Sequence, residues 1–146
     1  MGRIVSIDYG KKRTGIAVTD DLQMIANGLI TTSVEELFPF LKSYCEKENV
    51  VLFLVGEPKQ MDYTDSAASK YIEPFVKKLQ KEFPHIPIKR TDERFTSKMA
   101  FQTMIDAGLS RKKRQNKALV DTISATIMLQ YYLESKEYIL TKEKEI

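Results

Sequence analysis

Hydrophobic positions run in short stretches of strand character early in the chain and in longer helical stripes later. Residues 3–8 (RIVSID) and 14–20 (TGIAVTD) are apolar and β-branched, and the turn YGKKR between them predicts an antiparallel hairpin. Residues 26–32 (ANGLITT) read as a weaker third strand. Ser33 and Glu36 have capping-box spacing, with a hydroxyl that accepts from the third amide of a helix and a carboxylate that reaches back. Pro39 has no N–H to give to a helix interior, so the helix proper is expected from about Pro39 to Lys47. Residues 50–56 (VVLFLVG) are apolar without alternation, which predicts a strand covered on both faces.

The second half alternates again. A helix is expected over 66–83, kinked at Pro74, and a fifth strand over 86–92 (IPIKRTD). Thr96 can cap a helix ending near Ala107, with Gly108 as its C-terminal stop. A connector (109–117) leads to residues 118–134, ALVDTISATIMLQYYLE, apolar nearly all round and so expected to be a buried helix. The order is β-β-β-α-β-α-β-α-α. A three-strand meander followed by alternating helices and strands predicts an α/β fold, a mixed five-stranded sheet flanked by helices on both faces. Residues 1–138 are expected to form one domain, with 139–146 a loosely attached tail.

Composition narrows the class. A chain of 146 residues suits one domain and can fold without a metal or disulfide staple. The single cysteine, Cys45, allows no intrachain disulfide, which fits a cytoplasmic protein, and it reads as small core filler. His85 is the only histidine and lies between Pro84 and Ile86 in a loop, so a histidine-based mechanism has no support. A strand begins almost at once, with no signal peptide, and no apolar run approaches the ~20 residues of a membrane span. No membrane partner is expected.

Charge changes the picture more. From 89 to 117 nine Lys/Arg stand against three Asp/Glu, and residues 1–20 carry four against two. These local balances of +6 and +2 leave the remainder of a +3 chain at −5. Such segregation predicts one basic face and a polyanionic partner, although charge runs are also common on plain solvated loops.

Acids then appear where packing does not want them. Asp8 ends the first strand, Asp92 and Glu93 end the fifth, and Asp121 lies inside the apolar C-terminal helix with small neighbours Ser124 and Ala125. Sites in open sheets of this type form outside the carboxyl ends of strands. A buried Asp needs a partner, and either a Lys/Arg pair or a metal would serve. Converging carboxylates repel, and hard divalent cations resolve the conflict: Mg²⁺ takes oxygen ligands and leaves room for phosphate oxygens. Without metal, the same repulsion predicts that Asp8→Asn and Asp121→Asn are no less stable than the parent.

Four segments, IDYGKKRTGIAVTD, VGEPKQMD, DERFTS and KALVDTISATIMLQYYL, give the chain a resemblance to the YqgF (RuvX-like) family over residues 3–134. That family is a branch of the ribonuclease H-like nucleases, associated with precursor 16S ribosomal RNA and with Holliday-junction resolvases. The resemblance implies a ribonuclease H-like fold, Mg²⁺ or Mn²⁺ as cofactor, and Asp8, Glu93 and Asp121 as catalytic, metal-holding acids. It also points to Lys12 and Arg13 as a basic pair. With Lys11, Arg94 and the run Arg111, Lys112, Lys113 and Arg114, they would contact phosphates, which position nucleic acid without reading its sequence. Tyr63 stands where the family commonly has Gly, and Glu57 where it usually has an uncharged residue. Glu57 is thus either a further metal-proximal acid or a surface residue, and Asp92 shares that ambiguity. Tyr9 and Phe95 could stack on bases but read better as packing.

The expected function is a metal-dependent nuclease acting on RNA, chiefly precursor rRNA, as a monomer or weak homodimer. Two alternatives remain, a resolvase of branched DNA and a non-catalytic nucleic-acid-binding factor in ribosome assembly or transcription. A binder gains nothing from acids beside phosphates. An actin-like ATP-binding fold shares the opening hairpin but needs two such halves, and 146 residues hold one.

Overall fold

The computed structural model describes residues 2–10, 12–57, 69–92 and 117–135. Strands β1 (Arg3–Asp8), β2 (Arg13–Thr19) and β3 (Ala26–Ser33) form the expected antiparallel meander. Helix α1 (Val34–Lys47) leads into β4 (Val50–Glu57), α2 (Ser69–Glu82) precedes β5 (Ile88–Asp92), and α3 (Lys117–Leu133) closes the described chain. The five strands form one sheet in the order β3-β2-β1-β4-β5. β4 runs parallel to β1 and β5 parallel to β4, so the carboxyl ends of these three strands share one edge. The helix expected over 96–107, the connector up to residue 116 and the tail lie outside the described residues.

Side chains alternate along each strand and sort into two layers. Val5, Ile7, Ile16, Val18, Phe53 and Val55 face α1 and α2, meeting Leu37, Leu41, Ile72, Phe75 and Leu79. Ile4, Ala17 and Leu54 face α3, meeting Ala125, Met128, Leu129 and Leu133. Phe53 is fully buried in the first layer and edge-on to Phe83 at 5.2 Å. Truncating such a residue to Ala costs about 3–5 kcal/mol. Helices on both faces of a mixed sheet match the expected architecture.

One expectation needs correction. α1 begins at Val34, well ahead of Pro39, because Ser33 Oγ accepts from the Glu36 amide at 3.3 Å and secures the first turn. Pro39 then sits inside the helix, where burial of Leu37 and Leu41 offsets the lost backbone bond. α3 is covered as expected: Ser124, Ala125, Met128, Leu129 and Leu133 are buried and the other residues from Leu119 to Leu133 half-buried, with Tyr131 alone exposed, at 57%. Among the described residues the sheet is the single layer against it.

The opposite edge of the sheet is tied down without apparent chemistry. Arg3 Nη1 donates to the Thr19 carbonyl at 2.9 Å and its Nε to Glu48 at 3.2 Å. Asp20 Oδ1 accepts from the Met24 and Ile25 amides at 2.7 and 3.1 Å, closing the β2–β3 turn. The Ile25 and then the Met24 amide draw its carboxyl below the ordinary range. Cys45, half-buried against the first layer, has its thiol pushed up to about 11 by desolvation, as expected of filler.

Candidate active site

Asp8 is the last residue of β1, on the alternation of Ile4 and Ser6. Ser6 Oγ donates to the Ala125 carbonyl at 3.0 Å, so this set of positions faces α3. Asp121 lies one helical turn before Ala125, on the same side of α3. The two acids come from opposite ends of the chain onto one face of the sheet.

Gly15 joins them. It is the register partner of Asp8 across the β1–β2 ladder, where Cα atoms lie roughly 4.5–5.5 Å apart. A Cβ on Gly15 would overlap the Asp121 carbonyl group and would lie 3.1 Å from the Asp121 Cβ. Helix and strand can approach this closely because position 15 has no side chain. Further along, Thr31 and Thr122 share a hydroxyl–hydroxyl bond of 2.6 Å, which fixes the rotation of α3 over β2 and β3.

Arg13, two residues before Gly15 and so on the same face, pairs through Nε with Asp121 Oδ2. Both side chains are partly exposed, at 37% and 23%. An open concavity on this edge is lined by Gly10, Lys12, Arg13 and Asp121. Gly10 permits the tight β1–β2 turn, since a Cβ there would overlap the Arg13 carbonyl. Lys12 is exposed at the rim. Tyr9 turns to the other face and stacks on Phe75, with centroids 4.1 Å apart and planes at 14°. It packs, and burial raises its phenol above the ordinary range.

Of the sequence-predicted residues, Asp8, Lys12, Arg13 and Asp121 therefore meet at one edge. Glu57 and Asp92 are register partners at the ends of β4 and β5, on that same edge. Lys11, Glu93, Arg94, Arg111, Lys112, Lys113, Arg114 and Phe95 lie outside the described residues, with Glu93 directly following Asp92 in the chain. Among the described residues no three His, Cys, Asp or Glu side chains cluster as metal ligands. The expectation that Asp121→Asn relieves repulsion needs revision, because Asp121 already has a cationic partner. Two features were missed from sequence, the Gly15 contact and the Arg13 pair. A Gly inside an apolar strand was the available signal for the first. The second needed the register.

A hard cation suits this donor set. The acids offer carboxylate oxygens alone, as Mg²⁺ and Mn²⁺ prefer, and a positive charge is already drawn to Asp121.

The strand order and two-faced helical cover define the ribonuclease H-like class. T. thermophilus RuvC in complex with a Holliday junction superposes with a TM-score of 0.51 at 14% identity, covering 92% of this chain and 96% of that one, a likeness of fold. The chain belongs to the RuvX family: a family model described as "RuvX: Holliday junction resolvase" matches residues 2–135. A protein of Phocaeicola vulgatus is 59% identical over 139 residues, covering 95% of this chain and 100% of its own length. One of Flavobacterium psychrophilum is 60% identical over 136 residues, covering 93% and 99%. Both are named "Putative pre-16S rRNA nuclease".

Proposed function

We propose that this chain is a divalent-metal-dependent nuclease that hydrolyses phosphodiester bonds in RNA and processes precursor 16S rRNA. The observation that carries the reading is the convergence of Asp8 and Asp121 over Gly15, at the edge where β1, β4 and β5 end. The names of relatives near 60% identity support the substrate. Asp8 and Asp121, with Glu93 just past β5, would hold Mg²⁺ or Mn²⁺. Glu57 and Asp92 are the further candidates on that edge.

Such ions, when bound, activate the attacking water and stabilise the leaving oxygen. The chain's own residues supply position. Two rigid strands and a packed helix hold the acids, and the turn cations Lys11, Lys12 and Arg13 grip phosphates beside them. Arg94 and the run Arg111–Arg114 would extend that track. We place the protein in the cytoplasm, as a monomer or weak homodimer. No helix among the described residues is long and apolar enough to cross a membrane.

A second reading, cleavage of branched DNA, is favoured by the description of the matching family model. The test is purified protein with Mg²⁺ or Mn²⁺ against precursor 16S rRNA, unrelated single-stranded RNA and a four-way DNA junction. Preferential cleavage of the precursor is the expected result. Cleavage of the junction alone would replace this reading with the second, and metal-dependent binding without cleavage would make the chain a non-catalytic factor.

A further inference from the structure

We propose that Arg13 is a resident counter-ion of Asp121 that a divalent cation displaces, and that the released guanidinium then grips a substrate phosphate. The inference rests on the metal-site reading above and adds an exchange to it.

Three observations carry it. First, Arg13 Nε meets Oδ2 of Asp121, one of the carboxylates proposed to bind metal. A guanidinium and a divalent ion at one oxygen repel each other, so occupancy by one disfavours the other. Second, the pair lies in the open concavity that Gly10 and Lys12 also line, so both an ion and a phosphate can reach it. Third, the meeting atoms Nε and Oδ2 are shielded, but the Arg13 side chain as a whole is 37% exposed and more so than its partner, so the guanidinium has solvent to move into when the pair opens. The planar fork of Arg matches phosphate as well as carboxylate, so the freed group has an equivalent partner once substrate arrives. Metal loading and phosphate binding are thereby linked: each favours the state in which Arg13 has left Asp121.

The linkage is measurable without cleavage. Mn²⁺ binding to parent, Arg13→Gln and Arg13→Lys is followed by calorimetry, with thermal unfolding in the absence of metal and at saturation. Arg13→Gln is expected to bind Mn²⁺ roughly three- to tenfold more tightly. It should melt below the parent without metal and match it at saturation, because the pair it lacks is broken in both loaded proteins. Arg13→Lys keeps a cation at Asp121 and should bind Mn²⁺ like the parent.

The phosphate half is tested without metal, on a single-stranded RNA oligomer. Asp121→Asn frees Arg13 permanently, so the salt slope of binding should steepen by about 0.7. The double variant Arg13→Gln/Asp121→Asn should lose that increment.

Unchanged or weaker Mn²⁺ binding by Arg13→Gln, or a melting deficit that survives saturation, overturns the exchange. So does a steeper slope that persists in the double variant. Absence of Mn²⁺ binding in parent and variants overturns the metal-site reading and the exchange with it. Mn²⁺ binding with the expected differences but no cleavage overturns the nuclease reading alone.

Discussion

Gly15→Ala tests the convergence of the two acids directly. The added Cβ would overlap the carbonyl carbon and oxygen of Asp121. These are backbone atoms, so no rotamer change relieves the clash, and α3 must move off β2. Overpacking of this kind costs about 1–3 kcal/mol, and a backbone obstacle belongs at the upper end. Reduced freedom of the unfolded chain returns about 0.4–1 kcal/mol. The net loss is therefore about 2 kcal/mol, or roughly 6 °C in melting temperature for a domain of this size. Gly28→Ala is the control. Its Cβ would meet Thr122 Cγ2 at 2.6 Å and Thr126 Oγ1 at 3.1 Å, side-chain atoms of the same helix that can give way without moving the α3 backbone. About 1 kcal/mol, or 3 °C, is expected there. The two separate in activity. A shift of about 1 Å between groups that must act together costs on the order of 10²-fold in rate. Single-turnover cleavage of precursor 16S rRNA with Mg²⁺, at a temperature where all three proteins are folded, should fall by that factor in Gly15→Ala and stay near parental in Gly28→Ala. Parental cleavage by a folded Gly15→Ala, or an equal loss in both variants, would refute the claim that this contact sets the acid geometry.

The remaining predictions follow from single contacts. Asp8→Asn should be at least as stable as the parent without metal. Asp121→Asn should instead lose about 1 kcal/mol, roughly 3 °C, because Arg13 loses its carboxylate; Mg²⁺ should raise the melting temperature of the parent more than that of either variant. Replacing Lys112, Lys113 and Arg114 together by Ala should weaken binding to all nucleic acids alike and lower the salt slope by ~0.7–0.9 per lost phosphate contact; an unchanged slope marks the run as a solvated linker. Asp20 has a depressed carboxyl pKa, so its stabilisation is present above the ordinary carboxylate range and disappears as pH falls through its folded value. Asp20→Ala should accordingly lower the melting temperature at pH 7 and converge with the parent in strong acid. Cys45, with its thiol near 11, should react slowly with iodoacetamide at pH 8 until the protein is unfolded.

How far these features could be read beforehand depended on the kind of signal. All five strands were legible, because β-branched runs bounded by turn residues carry their own boundaries, and observed ends moved by a residue or two. The start of α1 was misjudged because the proline rule was given more weight than the Ser33 cap. The burial of α3 was legible from its apolarity all round, with Tyr131 the exception. Asp8 and Asp121 stood out as acids among apolar neighbours. Arg13 was read with Lys12 as a phosphate contact and not as the partner of Asp121, because three consecutive cations read as one exposed group. Its partner follows from strand parity, which puts positions 13, 15 and 17 of β2 on the α3 face. Parity becomes decisive once the pairing of Asp8 with Gly15 is known, since a slip of one residue would have turned Arg13 to the other face.

The same face of the sheet shows what this edge gives up. Away from it, Ile4 and Leu54 meet Met128 and Leu129 in ordinary apolar contact. At the edge, β2 carries a glycine, which brings no side chain to the core and instead lets the α3 backbone come down onto the strand. An acid ends β1, and a second acid from α3 is neutralised by an arginine, although apolar residues in place of a buried or half-buried ion pair are often at least as stable. One turn on, Ser124 is 1% exposed, and its hydroxyl has no hydrogen-bond partner among the described residues. Relative to apolar side chains, the terminal acid, the ion pair and the unpartnered hydroxyl work against stability, and together they fall within one turn of α3 and the end of β1–β2. Local rules broken together at one place are the pattern expected of a site kept for chemistry. The proposed nuclease site needs acids held close and rigid, and stability alone would not have selected those acids.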